Sequence, residues 1–220
     1  MSGVDYCYRC GEKIKQEIQE RQRKEEAEKR IVEVKKDTLG AMVKAGVSPC
    51  YAECSFDTFE VTNSNKKYLK FCQKYVEGPQ DSLFLTGRCG SGKTHLAVSI
   101  AKELLLQGNV VRFVSVPELL LKIRQTFDRD AGMTDIDYIE MYGQYQYLVL
   151  DDFGAEKTTE WARTTLYLII DKRIRLMKPT IVTSNLSLEQ IEDVVDGRLA
   201  SRLAGFKVVN FQCEDWRKRR

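Results

Sequence analysis

The sequence predicts an α/β fold, a parallel sheet with helices on both faces. Three observations carry that prediction. Five short apolar or β-branched runs, at 83–85, 110–116, 147–150, 180–183 and 206–211, alternate with helix-like segments. A glycine-rich run ending in Lys-Thr links the first of these strands to the next helix. The strand 147–150 ends on two adjacent carboxylates. Strands that alternate with helices pair in parallel, because each return crossover is a helix that then covers a sheet face.

Residues 11–36 read as one long charged helix. Glu17 and Arg21, Glu20 and Lys24, Glu25 and Lys29, and Glu26 and Arg30 are i,i+4 pairs with the acid first, the order that supports a helix. Its apolar stripe is thin (Ile14, Ile18, Ala27, Ile31, Val34), so it buries little against its own domain. It reads either as a solvated helix or as an arm that docks a partner or a second copy. Residues 40–54 read as a connector, broken at Gly46, Ser48 and Pro49. A compact domain begins near Ser55. The chain thus divides into an N-terminal helical arm, 1–54, and a main domain, 55–220. There, 63–77 reads as a helix capped by Asn63 or Ser64 and stopped by Gly78-Pro79. Helices follow at 95–107, ended by Gly108, at 117–127, opened by Pro117, and at 159–177. Residues 128–134 read as loop, and 188–194 and 198–203 as short helices.

The 220 residues are 43% hydrophobic and 30% charged, with a net charge of +3. That fits one ordinary domain with an appendage and excludes a disordered or fibrous chain. It excludes a bulk polyanion binder, but not a local basic site. The last four residues, Arg217, Lys218, Arg219 and Arg220, carry more positive charge than the whole net total. No apolar run approaches the roughly 20 residues that cross a bilayer. Residues 1–10 lack the apolar core of a signal peptide. Seven cysteines, an odd number, point to the reducing cytoplasm rather than to a disulfide framework. The single histidine, His95, argues against Ser-His-Asp hydrolysis and multi-His metal chemistry, and reads as a packed residue in a first helical turn.

The run Gly87-Arg88-Cys89-Gly90-Ser91-Gly92-Lys93-Thr94, with His95 directly after it, is the candidate phosphate site. It fits G-x-x-x-x-G-K-[ST] between a strand and a helix. Its glycines let backbone N–H groups close round phosphates, and the helix N-terminus adds its positive dipole. Lys93 places a charge on the β- and γ-phosphates, and Thr94 offers a hydroxyl to Mg²⁺. Such a site needs an acid at a strand end. Asp151 supplies it as the Mg²⁺ partner, and Asp152 stands where a base would polarise attacking water. Thr183-Ser184-Asn185 ends another strand on an amide. The C-terminal edges of parallel strands lie together at the ligand crevice, so Asn185 would touch the γ-phosphate or orient the water. Arg198 and Arg202 are four apart, on one face of a short helix. They read either as solvated charges or as an arginine finger aimed at a neighbour's nucleotide.

Taken in order, these residues resemble the helicase-loader family of AAA+ ATPases, the DnaC and DnaI type, and its transposition relative IstB. The resemblance spans 55–216. Cys54-Ser55-Phe56-Asp57-Thr58-Phe59 precedes the phosphate loop. Leu150-Asp151-Asp152-Phe153-Gly154-Ala155-Glu156-Lys157 forms the acidic strand end. Thr183-Ser184-Asn185-Leu186 matches the sensor run, Arg198-Leu199-Ala200-Ser201-Arg202-Leu203 the arginine-finger box, and Asp215-Trp216-Arg217 the family's ending without a large helical C-terminal lid. It implies an AAA+ domain with a parallel five-stranded sheet. It implies ATP and Mg²⁺ bound between the subunits of a ring or spiral. It also implies a replicative hexameric DNA helicase bound through the N-terminal part, and single-stranded DNA in the channel. It makes Arg202 the finger in trans, with Arg198 beside it. It turns the helix 117–127 towards DNA, where Lys122 and Arg124 would meet phosphates; Phe127 would stack on a base or pack into the core. Many AAA+ proteins carry Glu where this chain has Asp152. The missing methylene shortens its reach by roughly 1.5 Å, which predicts slow hydrolysis with ATP acting as an assembly switch. An IstB-like helper of a transposase on duplex DNA is the alternative. A small-molecule kinase would use Lys93 and Asp151 equally well, but leaves Asn185 and Arg202 unexplained.

Cys7 and Cys10 have the spacing of half a zinc knuckle, and Cys50 and Cys54 are the candidates for the other half. To close a four-cysteine site the charged helix would fold back. A metal-free arm is the other reading. Cys89 sits within the phosphate loop beside Arg88 and Lys93, where it reads as a small filler or as a reactive thiolate.

Overall fold

Alternation within each strand builds the sheet. The computed structural model describes residues 8–125, 133–155, 159–213 and 215–216, without the side chains of residues 8–11. Its strands are β1 (Leu83–Gly87), β2 (Val111–Ser115), β3 (Tyr147–Phe153), β4 (Thr180–Ser184) and β5 (Lys207–Phe211). They pair in the order β2-β3-β4-β1-β5, and every neighbouring pair is parallel. The helices are α1 (Tyr8–Lys36), α2 (Thr38–Ala45), α3 (Lys66–Tyr75), α4 (Lys93–Leu106), α5 (Val116–Arg124), α6 (Asp135–Gln144), α7 (Glu160–Arg175), α8 (Leu188–Val194) and α9 (Gly197–Ala204). Successive strand residues point to opposite faces. Leu83, Leu85, Val149 and Ile181 therefore join a core with α2, α3 and α4. Phe84, Leu148, Leu150 and Val182 join a second core with α5, α7 and α9. The five strands expected from the sequence are all present, and β1 lies between β4 and β5, where the chain order reverses. Ligands of open parallel sheets bind at such a switch, beyond the C-terminal strand ends.

Several elements differ from the sequence reading. The connector expected at 40–54 begins inside a helix, α2. Asp37 caps it, accepting from Gly40 N at 2.8 Å, and Gly46 closes it at φ +100°. A glycine there ends a helix rather than marking a loop. Met42, Ala45 and Val47 are buried in the sheet's own core. The sequence reading gave no element to α6, which starts at a capping box between Thr134 and Asp137. Helix α3 begins at Lys66, because the Asn65 side chain is used in the preceding turn. It accepts from Thr62 N and donates to Glu60 O.

Helix α1 is unbroken for 29 residues. Of its thin stripe, Val34 joins the core, and Ala27 and Ile31 lie against Gly108 at the end of α4. Arg30 Nε donates to Gly108 O at 2.7 Å. Ile14 and Ile18 remain exposed. Glu26 and Arg30 pair as expected, but Arg21 pairs with Glu25 rather than Glu17.

Arg173 on α7 is fully buried. Its guanidinium donates to the carbonyls of Tyr142 (3.0 Å), Tyr145 (2.8 Å) and Pro179 (2.7 Å), and Nε donates to Thr180 Oγ1 at 2.7 Å. It thus gives partners to carbonyls at the end of α6 that a helix leaves unpaired, and ties them to the start of β4.

Candidate nucleotide site

The loop after β1 is shaped by what lies over it. Gly92 has φ +93°, and a Cβ there would meet the Phe59 ring at 2.7 Å. Gly90 has φ +70°, and a Cβ there would lie 1.7 Å from Asp215 Oδ1. Both positions need glycine for conformation and for space. Gly92 also serves as N-cap of α4 without any side-chain bond to the helix, so the positive end of the α4 dipole faces the loop. Lys93 is buried. Its Nζ donates to Gly87 O at 2.7 Å, Arg88 O at 2.8 Å and Asn185 Oδ1 at 2.9 Å. The expected lysine and the expected amide are therefore in direct contact, from elements 92 residues apart.

The acids are set by a bulge. Leu150 pairs with Val182 and Phe153 with Ser184, so two residues of β3 oppose the single residue Thr183 of β4. Such a bulge re-aims side chains. Asp152 takes φ +56° and faces the cavity, while Asp151 is buried beneath it. Thr183 Oγ1 donates to Asp151 Oδ1 at 2.6 Å and accepts from Asp152 N at 3.0 Å. Thr94 Oγ1 donates to the same Asp151 Oδ1 at 3.0 Å. Burial pushes the Asp151 carboxyl up, the Thr183 and Thr94 hydrogen bonds pull it down, and the net direction is upward. A hydroxyl and a carboxylate oxygen this close, opening on a phosphate cradle, are a hard oxygen donor set. They fit Mg²⁺, which keeps waters and phosphate oxygens as its other ligands.

A cavity of about 550 Å³ lies over the loop, lined by Phe59, Asn65, Lys93, Asp152, Asn185 and Trp216 among others. His95 Nε2 lies 2.8 Å from Ser55 O, and burial pushes its pKa down. It is a packed histidine that also borders the cavity. Cys89 is exposed at the cavity's edge. Trp216 N donates to Gly90 O at 3.1 Å, so the segment after β5 closes over the phosphate loop.

Arg198 and Arg202 do not line this cavity. They project from α9 onto α7, where both guanidiniums lie over the Tyr167 ring. Lys122 and Arg124 are exposed in the last turn of α5, and Phe127 lies outside the described residues. Cys7 and the side chain of Cys10 also lie outside them, as do Glu156, Lys157 and the basic residues 217–220. The zinc expectation finds no support. Helix α1 does not fold back, so Cys10 stands about 39 Å of helix from Lys36. Cys50 Sγ lies 3.2 Å from Ser48 Oγ, and no group of three metal-ligating side chains occurs among the described residues.

Sequence reasoning gave no role of their own to Thr183, Tyr167 and Asp171, and it read Asp215-Trp216 only as the family's ending, not as a segment over the phosphate loop. Thr183 had one signal, its place at the head of the sensor run. Tyr167 and Asp171 act through contacts that no local pattern announces.

A family model described as IstB-like ATP binding protein matches residues 16–215. The chain is 26% identical over 204 residues to the Uncharacterized protein YdaV of Escherichia coli strain K12, covering 87% of this chain and 81% of that one. It is 27% identical over 164 residues to the Replicative helicase loader DnaC of the same strain, covering 73% of this chain. The match spans 66% of that loader, just under two thirds of its length. The crystal structure of the DnaC helicase loader has the same fold, with a TM-score of 0.64 at 23% identity over 75% of this chain and 100% of that one.

Proposed function

The chain belongs to the family of IstB-like ATP-binding proteins, AAA+ ATPases related to the DnaC-type loaders, and from that premise we propose that it loads a replicative hexameric DNA helicase onto single-stranded DNA. ATP and Mg²⁺ bind at the cavity, between subunits of a ring or spiral. The observation that carries this reading is a divided site. Lys93, Thr94, Asp151 and Asn185 converge on the phosphate loop, whereas Arg198 and Arg202 sit on α9, outside the cavity's lining. A nucleotide held by one copy meets those arginines only from a neighbouring copy, as an arginine finger requires.

Thr94 and Asp151 would hold the Mg²⁺, which would supply positive charge against that developing on the phosphates. Asp152 orients the attacking water, and its short reach makes hydrolysis slow, so that ATP works as an assembly switch. Asn185 reports the γ-phosphate through Lys93. The arm, 1–54, docks the helicase with the apolar residues that α1 leaves exposed, Ile14 and Ile18. Lys122 and Arg124 meet DNA phosphates. No helix among the described residues is long and apolar enough to cross a membrane. The work belongs to the cytoplasm, where helicase and DNA are.

Co-purification with candidate hexameric helicases, with and without ATP, tests this. A complex that survives Lys93→Ala but no longer loads helicase on DNA is expected. Absence of any helicase contact overturns the reading. The IstB-like description of the matching family model, with the resemblance to a transposition helper, favours a second reading in which the partner is a transposase and the DNA a duplex. The same pull-down with a transposase as bait separates the two.

A further inference from the structure

Arg202 is held before any neighbour arrives. Its Nη2 forms an ion pair with Asp171 Oδ1 at 2.7 Å and donates to Tyr167 OH at 3.2 Å. Both partners are on α7. No other Arg202 nitrogen has a hydrogen bond among the described residues, so Nε and Nη1 keep their three N–H donors. The Arg202 side chain is 42% exposed and that of Asp171 only 9%. We propose that Asp171 and Tyr167 are positioning residues for Arg202: they hold its guanidinium by one nitrogen and leave the remaining donors for a phosphate bound to a neighbouring copy.

An ordinary structural ion pair would look different in one respect. Asp171 already has a second guanidinium, since Arg175 Nη2 lies 2.5 Å from its Oδ2. The nearly buried carboxylate therefore stays neutralised without Arg202. The pair does more for the arginine than for the acid. Arginine on its long stem has many rotamers, and fixing it in advance removes that entropy loss from the catalytic step. The Tyr167 ring adds a flat support, 5.7 Å from the Arg202 guanidinium carbon and 5.3 Å from that of Arg198. The base of the device is also fixed. Asp196 caps α9, accepting from Arg198 N at 2.8 Å and Leu199 N at 3.2 Å. Leu199 and Leu203 anchor the helix in the core.

The inference rests on the trans-finger reading given above, and its test separates the two. Single-turnover ATP hydrolysis is measured on the full chain with single-stranded DNA present, beside nucleotide affinity from a fluorescent ATP analogue. Losing an arginine finger costs about 10³-fold or more in rate. Misplacing one by an ångström costs about 10²-fold. Asp171→Asn is expected to slow hydrolysis about 100-fold and Tyr167→Phe less, both with unchanged nucleotide affinity. Each is then mixed with Asp152→Asn, which keeps its finger but does not hydrolyse. Activity should return, because the Asp152→Asn neighbour presents an intact finger to the variant's intact site. Arg202→Ala mixed in the same way should also recover. If Arg202→Ala alone hydrolyses at the wild-type rate, the trans finger fails and the proposal with it. If Arg202→Ala is rescued by mixing while Asp171→Asn and Tyr167→Phe hydrolyse at the wild-type rate, the finger stands and the positioning role is overturned. Loss of nucleotide affinity in folded Tyr167→Phe, or slow hydrolysis that mixing does not rescue, also overturns it. Tyr167→Phe removes only one hydroxyl, so it decides between these outcomes if Asp171→Asn does not fold.

Discussion

Replacing Arg173 with Met should destabilise the protein by about 3 kcal/mol. The substitution keeps an apolar stem in a fully buried place and removes every donor. It leaves the carbonyls of Tyr142, Tyr145 and Pro179 and the Thr180 hydroxyl without the guanidinium. A buried acceptor without a partner costs about 1–3 kcal/mol. Thr180 and Tyr142 bind Arg173 in the interior, whereas Tyr145 and Pro179 stand nearer to water. The orphaned Tyr142 carbonyl, and the Thr180 hydroxyl left only its 3.3 Å bond to Lys178 O and no donor of its own, at about 2 kcal/mol each give about 4 kcal/mol at most. Removing the desolvated charge returns part of that, because burial alone pushes the guanidinium down to about 9. In a chain of this size each kcal/mol lowers the melting temperature by about 2–4 °C, so a drop of about 6–12 °C is expected. Arg173→Lys keeps the charge but not the planar fork, and should fall between the two. Calorimetry and circular dichroism melts measure both. The reasoning fails if Arg173→Met melts with the wild type, or if the Lys variant is the less stable of the two.

Three further outcomes follow from the site. Thr183→Val keeps the strand's shape but deletes the hydroxyl that bridges Asp151 and the bulge N–H of Asp152. It should cost about 1–3 kcal/mol and slow hydrolysis more than it weakens nucleotide binding, seen by melts beside single-turnover rates. Gly90→Ala brings a methyl onto the Asp215 carboxylate in a left-handed backbone. ATP affinity, measured by calorimetric titration, should fall at least about tenfold, a loss of about 1.4 kcal/mol. Asp196→Ala removes the cap of α9 and should cost about 1 kcal/mol at pH 7. Burial pushes Asp196 up, but hydrogen bonds from Arg198 and Leu199 hold it below its ordinary value. Its contribution is therefore full above the ordinary carboxylate pKa and is lost as pH falls through the lowered one. The gap between wild type and Asp196→Ala should close only on acidification below the ordinary carboxylate range, read from melts across pH.

What the sequence made legible and what it hid divide along one physical line. The phosphate loop, Asp151 and Asn185 could be read because each is fixed by its neighbours: glycines before a lysine, or a polar residue where an apolar strand stops. Parallel strands then bring those ends together whatever the loops between them do. Helix α2 was hidden because Gly46, Ser48 and Pro49 look like breakers, while the features that make a helix are the Asp37 cap and burial of Met42 and Ala45. Helix α6 was hidden because few of its residues are buried, Tyr142 and Gly143 among them, so it offers no clear apolar period. The bulge at Asp151 and Asp152 exists only in register with β4. The clasp on Arg202 joins residues 31 and 35 positions away in the chain. No spacing rule covers such distances.

Helix α7 connects the two halves of the divided site. It leaves the loop that follows the β3 acids and ends before β4, whose last residue precedes Asn185. Its middle carries Tyr167 and Asp171, which hold Arg202, and its last turns carry Arg173, which fixes it to α6 and to the first residue of β4. The Asp152 backbone and the Asp151 carboxylate are tied to β4 through Thr183. Arg202, the proposed finger, and Asn185, the proposed sensor, are thus mounted on one packed unit. A small change at β4 on ATP binding would move α7 as a body rather than bend it, because close-packed interiors shift between arrangements instead of deforming continuously. Loosening Arg173 should therefore do more than lower stability. In Arg173→Lys, at a temperature where the chain is fully folded, hydrolysis that depends on a neighbour's finger should fall while nucleotide affinity holds. Equal losses in both would mean that α7 carries no coupling and serves the core alone.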